Sequence, residues 1–375
     1  MPKALSVYLD LLRFSAALVV FIVHANYDRF TGGLPILWRI AGLGNDAVMV
    51  FFVLSGFVIA YVSASRERTA SAYFAARLAR LWSVGITAII LTIVLDNIGA
   101  KLSPAMYDGR WFEDSKPILR TLANLLFVNE IWFWSIRPFS NGPYWSISYE
   151  FWYYVIFGAT LFLKGIKRVA CLCLLIIFIG PKILLLLPVW LAGVWAFRTR
   201  LADAMSTRTA AYLYVFTVAS YMALRLSGAT DFLDEIIRNA VGESFELERL
   251  LRWSRHFLSS YCIGILIAFN FVASRALFVR MPTLIIPCDG IITYLAGFTF
   301  SLYLFHYPLL QFFAAIADFF AITNYKPIMV ISGTLSVVWL LGSWAERQKA
   351  PLKHLLLMLS AKSHRGKLLS STSDG

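Results

Sequence analysis

Arg13 and His24 stand eleven positions apart, with ten residues between them, in RFSAALVVFIVH, a run otherwise apolar or small. At about 100° and 1.5 Å per residue, both side chains leave one face of a helix, roughly 16 Å apart along its axis. An imidazole, whose ordinary pKa of ~6.5 lies near working pH, suits proton transfer. A guanidinium grips phosphate or carboxylate with a planar fork. Charged groups inside a bilayer are costly and are kept where they pair, line a cavity or work. Asp10, one turn before Arg13, is spaced to pair with it. The plainer readings make Arg13 an anchor at the membrane edge and His24 a satisfied core imidazole.

Four further stretches carry candidate chemistry. In NGPYWSISYEFWYY, residues 141–154, Glu150 lies about two turns into an aromatic helix, beyond the main reach of a helix dipole. A buried carboxylate there asks for a partner, and His24 is the nearest chemical match, because a carboxylate fixes an imidazole's tautomer and supports the imidazolium. Ser55-Gly56 interrupts the bulky run VFFVLSGFVIAY; small residues admit a neighbouring helix or a ligand close to the backbone. Arg77 and Arg80, at i and i+3 in YFAARLARLW, share a helix face and can hold phosphate oxygens, or serve as membrane-edge anchors. His306, in SLYLFHYPLL, stands two residues before Pro308 and reads as part of a packing kink or cavity wall, with no catalytic role assigned.

These residues need a membrane scaffold. Of 375 residues 59% are hydrophobic and 15% charged, against about 25% charged in an average soluble domain. The apolar runs predict an all-α polytopic membrane helix bundle of about ten transmembrane helices, at 5–26, 43–62, 81–98, 144–163, 169–181, 183–197, 209–226, 257–273, 290–314 and 326–344. The fifth and sixth abut at Gly180-Pro181 and are equally readable as one broken helix. With the N-terminus inside, the excess of Lys and Arg behind the net charge of +13 falls on the inner loops, so both termini are expected in the cytoplasm. Cations scattered over helix ends speak for membrane orientation rather than nucleic-acid binding.

Asp10 and Arg13 interrupt the first apolar run and no clear cleavage site follows, so that helix is expected to stay. Cys171, Cys173, Cys262 and Cys288 fall in or beside predicted spans, which disfavours a disulfide framework or a zinc site; no metal is expected. The chain divides into a membrane domain, 1–348, and a basic cytoplasmic tail, 349–375, partly disordered. Two outer segments, 99–143 and 227–256, exceed simple turns; the first contains an interfacial aromatic run and the second an amphipathic surface helix. Trp111, Trp132, Trp134 and Tyr144, with Trp145 and Tyr149 on the acceptor side, can stack on sugar rings or form an interfacial belt.

Taken together, the Arg-x10-His pair, FFVLSGF, Arg-x-x-Arg, WSISYEFWYY and SLYLFHYP, in this order, resemble the acyltransferase-3 family over residues 5 to 345. These are bacterial integral membrane proteins that move acyl groups onto extracytoplasmic carbohydrates and other acceptors. The resemblance implies that Arg13 and His24 match the family's Arg-x10-His signature, Glu150 the first acid of its Trp-Ser-Leu-Ser-x-Glu-Glu motif, and Arg77 and Arg80 its basic pair on the donor's cytoplasmic side. Met49 stands where the family often has an Asp, and Phe151 replaces the second motif Glu.

The expected activity is O-acyl transfer, most simply O-acetylation, from cytoplasmic acyl-CoA to a hydroxyl of an extracytoplasmic polysaccharide or glycolipid precursor of the cell envelope. The setting is the bacterial inner membrane. His24 would serve as base or as acyl-carrying nucleophile, with Glu150 orienting it. Arg13, Arg77 and Arg80 would hold the donor's phosphates, and Ser55-Gly56 would admit its pantetheine. Acyl-CoA is then a co-substrate and no resident cofactor is needed. The partners are acyl-CoA, the carbohydrate or glycolipid acceptor and membrane lipids, with no nucleic acid; the oligomeric state is open. A transporter or flippase of lipid-linked glycans is the rival. Such proteins commonly show two related halves, whereas Arg13, His24 and Glu150 all fall in the first 150 positions.

Overall fold

The computed structural model describes residues 1–34, 42–65, 67–109, 112–241, 249–281 and 288–371. The regular elements among them are all helical: α1 (Lys3–Ala25), α2 (Asp28–Thr31), α3 (Leu43–Ser65), α4 (Ala70–Leu102), α5 (Pro117–Leu125), α6 (Trp145–Phe162), α7 (Gly165–Ile179), α8 (Pro181–Arg198), α9 (Leu201–Ala204), α10 (Thr207–Leu226), α11 (Ala229–Val241), α12 (Phe257–Arg280), α13 (Asp289–Ala296), α14 (Thr299–Phe319), α15 (Lys326–Arg347) and α16 (Lys349–Ser371).

Among the described residues seven helices are long and apolar enough to cross a bilayer: Lys3–Ala25, Leu43–Ser65, Ala70–Leu102, Pro181–Arg198, Arg249–Arg280, Thr299–Phe319 and Lys326–Ala361. The protein is a multi-pass membrane protein. Three of the ten spans expected from sequence form helices outside that set. α6 is diluted by Ser146, Ser148, Glu150 and its tyrosines, α7 has only 15 residues, and α10 carries Arg208 and Arg225 among threonines and serines.

Two boundaries differ from the sequence reading, and one open alternative is decided. The third span, expected at 81–98, runs from Ala70 to Leu102, about 50 Å at 1.5 Å per residue, so Arg77 and Arg80 sit on the same rod as the apolar stretch. Thr69 starts it by accepting from the Ala72 N–H. The span at 290–314 is two helices, α13 and α14, parted at Gly297-Phe298. The alternative left open at Gly180 resolves to two helices: Gly180 has φ +80°, and a Cβ there would lie 2.7 Å from the Trp132 Cα, so only glycine makes this turn. Trp132 donates its N–H to the Ile179 carbonyl at 2.7 Å and pins the loop before α6 to the turn.

One end of the bundle gathers the N-terminal amine, which donates to Tyr61, the Lys3–Asp289 pair and the Arg275–Asp203 pair. Lys349, at the start of α16, interacts there with Arg13 and Arg80. The opposite end carries 96–109, 112–144, 226–241 and 249–257. The core between them is aromatic and closely packed, with α3 crossing α8, α14 against α4 and α15, and α1 against α3 and α14.

Candidate active site

A cavity of about 240 Å³ opens among α1, α3, α4, α6, α14 and α15 in the half of the bundle nearer the N-terminus. Its charged lining is Arg13, Arg80, Glu150, Glu346 and Lys349, and Ser55, Ser146, Phe300 and Tyr303 are among the other residues of its wall. Arg13 pairs with Asp10 at 3.2 Å, as the one-turn spacing requires, and interacts electrostatically with Glu346 and Glu150. Arg80 faces the same two carboxylates, with its guanidinium 6.0 Å from the Phe300 ring centre. Glu150 accepts from Ser55 Oγ at 2.7 Å and from Tyr154 Oη, and Ser55 in turn accepts from Trp190 Nε1 at 3.2 Å. Among the described residues three cations and two carboxylates surround the void, a net positive lining that favours a polyanionic ligand.

Tyr303 forms the far wall. Its hydroxyl accepts from Ser146 Oγ at 2.9 Å and donates to the Pro143 carbonyl at 3.1 Å. Beyond its ring, with centroids 6.3 Å apart, lies His306, and His306 holds His24. His24 Nδ1 is 2.9 Å from His306 Nε2, and His306 Nδ1 is 2.9 Å from the Leu302 carbonyl oxygen. A carbonyl can only accept, so with both rings neutral His306 carries its proton on Nδ1 and accepts on Nε2. His24 then donates from Nδ1 and presents a lone pair on Nε2. His306 is fully buried, whereas His24 keeps partial exposure between the edges of Tyr27 and Tyr307, at ring distances of 5.3 and 5.2 Å.

Glu150, the partner expected for His24, is therefore engaged elsewhere: it belongs to the cavity with Ser55 and Tyr154, while a second imidazole sets the tautomer of His24. Pro308 shapes this region through the donor it lacks. The Leu304 carbonyl four residues earlier is left without its helical N–H and accepts from Asn141 Nδ2 at 2.8 Å, which ties the turn before α6 to α14 beside the imidazoles.

An acyltransferase domain family, of the acyltransferase-3 type, matches residues 6–344. The chain belongs to the acyltransferase-3 family. It is also 32% identical over 149 residues to the acyltransferase MdmB of Streptomyces mycarofaciens, an alignment covering 39% of this chain and 36% of that protein. No solved structure matches it.

Within this acyltransferase-3 chain the remaining expected residues separate. Arg77 and Arg80 do not act as a pair. Arg77 is buried, donates from Nη1 to Glu67 Oε1 at 2.7 Å with Nη2 2.6 Å from Oε2, and lies 4.5 Å over the Tyr73 ring, outside the cavity lining. Trp145 and Tyr149 are buried rather than displayed: Trp145 stacks on Trp253 at 5.2 Å, and Tyr149 shares a hydrogen bond with Ser254. Tyr144 is buried too, against Gly85, while Trp132 and Trp134 are exposed; Trp111 lies outside the described residues. Among the described residues no group of three His, Cys, Asp or Glu is placed to hold a metal ion.

Ser55 and Gly56 also part company. Ser55 lines the cavity, but a Cβ on Gly56 would lie 2.0 Å from the Trp190 carbonyl oxygen, and one on Gly193 would lie 1.9 Å from that of Val53. The two glycines are the reciprocal contact where α3 meets α8, so no ligand passes beside Gly56. Gly56→Ala is expected to destabilise the folded protein by about 1–3 kcal/mol through overpacking. Thermal unfolding in detergent checks this; a wild-type midpoint would show that the crossing has slack.

Glu346, Lys349, Tyr303 and Ser146 complete the cavity although the sequence did not single them out as site residues. Glu346 and Lys349 sit in AERQK at the end of the last apolar run, where they read as an ordinary polar helix end. The signal available was Glu346 itself, an acid within a turn of a strongly apolar span.

Proposed function

We propose that the protein transfers an acyl group, most simply acetyl, from acyl-CoA in the cytoplasm to a hydroxyl of an extracytoplasmic polysaccharide or glycolipid precursor. The observation that carries the reading is the hydrogen-bond chain from the Leu302 carbonyl through His306 to His24, which leaves His24 Nε2 as an acceptor beyond Tyr303, the wall of a cationic cavity. The end bearing the N-terminus faces the cytoplasm, in keeping with the charge bias of the loops. Arg13, Arg80 and Lys349 hold the donor's phosphates at the mouth. At about 240 Å³ the cavity is smaller than the ~300–1,000 Å³ of pockets that enclose a whole drug-sized ligand, so it receives the acyl-pantetheine arm while the nucleotide stays outside.

The acceptor hydroxyl approaches from the opposite end, where Arg29 donates to Gln311 and stacks over Phe30. His24 Nε2 takes the hydroxyl proton as the oxygen attacks the thioester carbonyl; the C–S bond breaks, and the thiolate of CoA leaves and takes that proton back from His24, which returns to its neutral form. The imidazolium formed on His24 is steadied by its donation to His306 Nε2. Two measurements test the reading. Purified protein should bind acetyl-CoA by calorimetry, and mass spectrometry of surface glycans should show the loss of an acetyl group when the protein is removed. Failure to bind acetyl-CoA or any other acyl-CoA would reject the donor assignment and return the transporter as the better account.

A further inference from the structure

A second cavity, of about 360 Å³, lies outside the proposed chemistry, on the other side of the α1–α3 pair and bounded by α10 and α12. Its lining is almost wholly apolar, with Val19, Val50 and Val218 among the side chains, and it follows α1 from Val19 down to Tyr8, roughly 16 Å at 1.5 Å per residue. Val218 is 41% exposed on the outer face of α10, so the cavity is reached from the lipid side. The deep end is closed by a satisfied polar contact, Tyr8 Oη donating to Asn270 Oδ1 at 2.5 Å.

The upper end is different. Asp46, in the first turn of α3, lines the cavity with only 3% of its surface exposed. Its Oδ2 accepts from Arg225 Nε at 2.5 Å and from Tyr221 Oη at 2.8 Å, while its Oδ1 has no hydrogen-bond partner among the described residues. Among the described residues Arg225 donates to Asp46, Thr230 and the Gly42 carbonyl, three of its five N–H groups. A buried carboxylate oxygen without a donor is costly, so this end of the cavity favours a ligand that brings one. A carboxylate needing a cationic donor, beside a guanidinium with donors to spare, complements a zwitterion that pairs an ammonium with a phosphate.

We propose that this cavity is a binding site for one aminophospholipid of the phosphatidylethanolamine type. Its primary ammonium donates to Asp46 Oδ1, its phosphate accepts from Arg225, and one alkyl chain fills the apolar run along α1. The site is separate from the acyl-transfer cavity and does not depend on the reading of donor or acceptor given above.

The test is lipid retention by the full chain. Protein purified in detergent and stripped of lipid is incubated with an equimolar mixture of phosphatidylethanolamine, phosphatidylcholine and phosphatidylglycerol of matched chains, and bound lipid is read by native mass spectrometry. Phosphatidylcholine has the same charges but no N–H on its head, and phosphatidylglycerol has donors but no cation. The wild type should retain phosphatidylethanolamine about tenfold over phosphatidylcholine, the ratio that ~1.4 kcal/mol supplies. Asp46→Asn should bring that ratio close to one. Val218→Trp, on the exposed side of α10 with Asp46 untouched, should lower retention of the bound lipid several-fold and serves as the second arm where Asp46→Asn does not fold. Equal retention of the two zwitterions by the wild type, preference for phosphatidylglycerol, or an unchanged preference in the folded variants would overturn the proposal.

Discussion

His24→Gln is expected to lose about 10²–10⁴ of turnover, the usual contribution of a positioned base, while acyl-CoA affinity stays unchanged because the cavity charges lie on the other side of Tyr303. The sharper comparison is at His306. His306→Leu removes the acceptor for His24 Nδ1–H, so His24 is free to take the other tautomer and put its proton where the lone pair is needed. His306→Gln keeps an amide oxygen that can still accept from His24, so it should recover part of what Leu loses, with the acceptor Michaelis constant little changed. If the two substitutions lose the same activity at equal membrane abundance, His306 is only packing. If His24→Gln stays active, the base is another group.

The second large effect separates two arginines that the sequence makes twins. Arg80→Gln takes one of three cations from the cavity and should raise the Michaelis constant for acyl-CoA about ten- to hundredfold, since a hydrogen bond to a charged group contributes ~1.5–3 kcal/mol. Arg77→Gln should leave that constant alone and instead lower stability by ~3–5 kcal/mol, because Glu67 then remains buried without its counter-charge. Thermal unfolding and steady-state kinetics on the same preparations decide it. A donor defect in folded Arg77→Gln, or a wild-type donor constant in Arg80→Gln, would refute the division.

What the sequence made legible followed from local rules. Apolar runs of bilayer length marked the long helices, and the one-turn spacing of Asp10 and Arg13 foretold their pair. The five motifs in order pointed to a family that residues 6–344 do match. What stayed hidden depended on which helix faces which. Arg77 and Arg80 share a sequence pattern, yet only the position of Glu67, just before α4, captures the first. His306 sits 282 residues from His24, and nothing in either segment announces that α14 packs on α1. Glu150 looked like the obvious partner because a lone carboxylate and a lone imidazole attract the same inference. Ser55 and Tyr154 had a prior claim on it that only packing reveals. Gly56 shows the same limit from the other side, since a small residue in a helix reads identically whether a ligand or the Trp190 carbonyl fills the space beside it.

The cavity is lined by residues from nearly both extremes of the chain, with Arg13 on the first helix and Glu346 and Lys349 at the close of the last apolar run. A chain still emerging from the ribosome therefore already carries Arg13, Arg80, Glu150 and His24, but has neither the His306 that orients the imidazole nor the carboxylate of Glu346 that faces the two guanidiniums. The full set of charges around the cavity therefore assembles only after α15 and the start of α16 have been made and have joined α1 and α4. A polypeptide cut short before α14 would keep Arg13 and Arg80 yet lack both the imidazole that holds His24 and the carboxylate that faces the two guanidiniums.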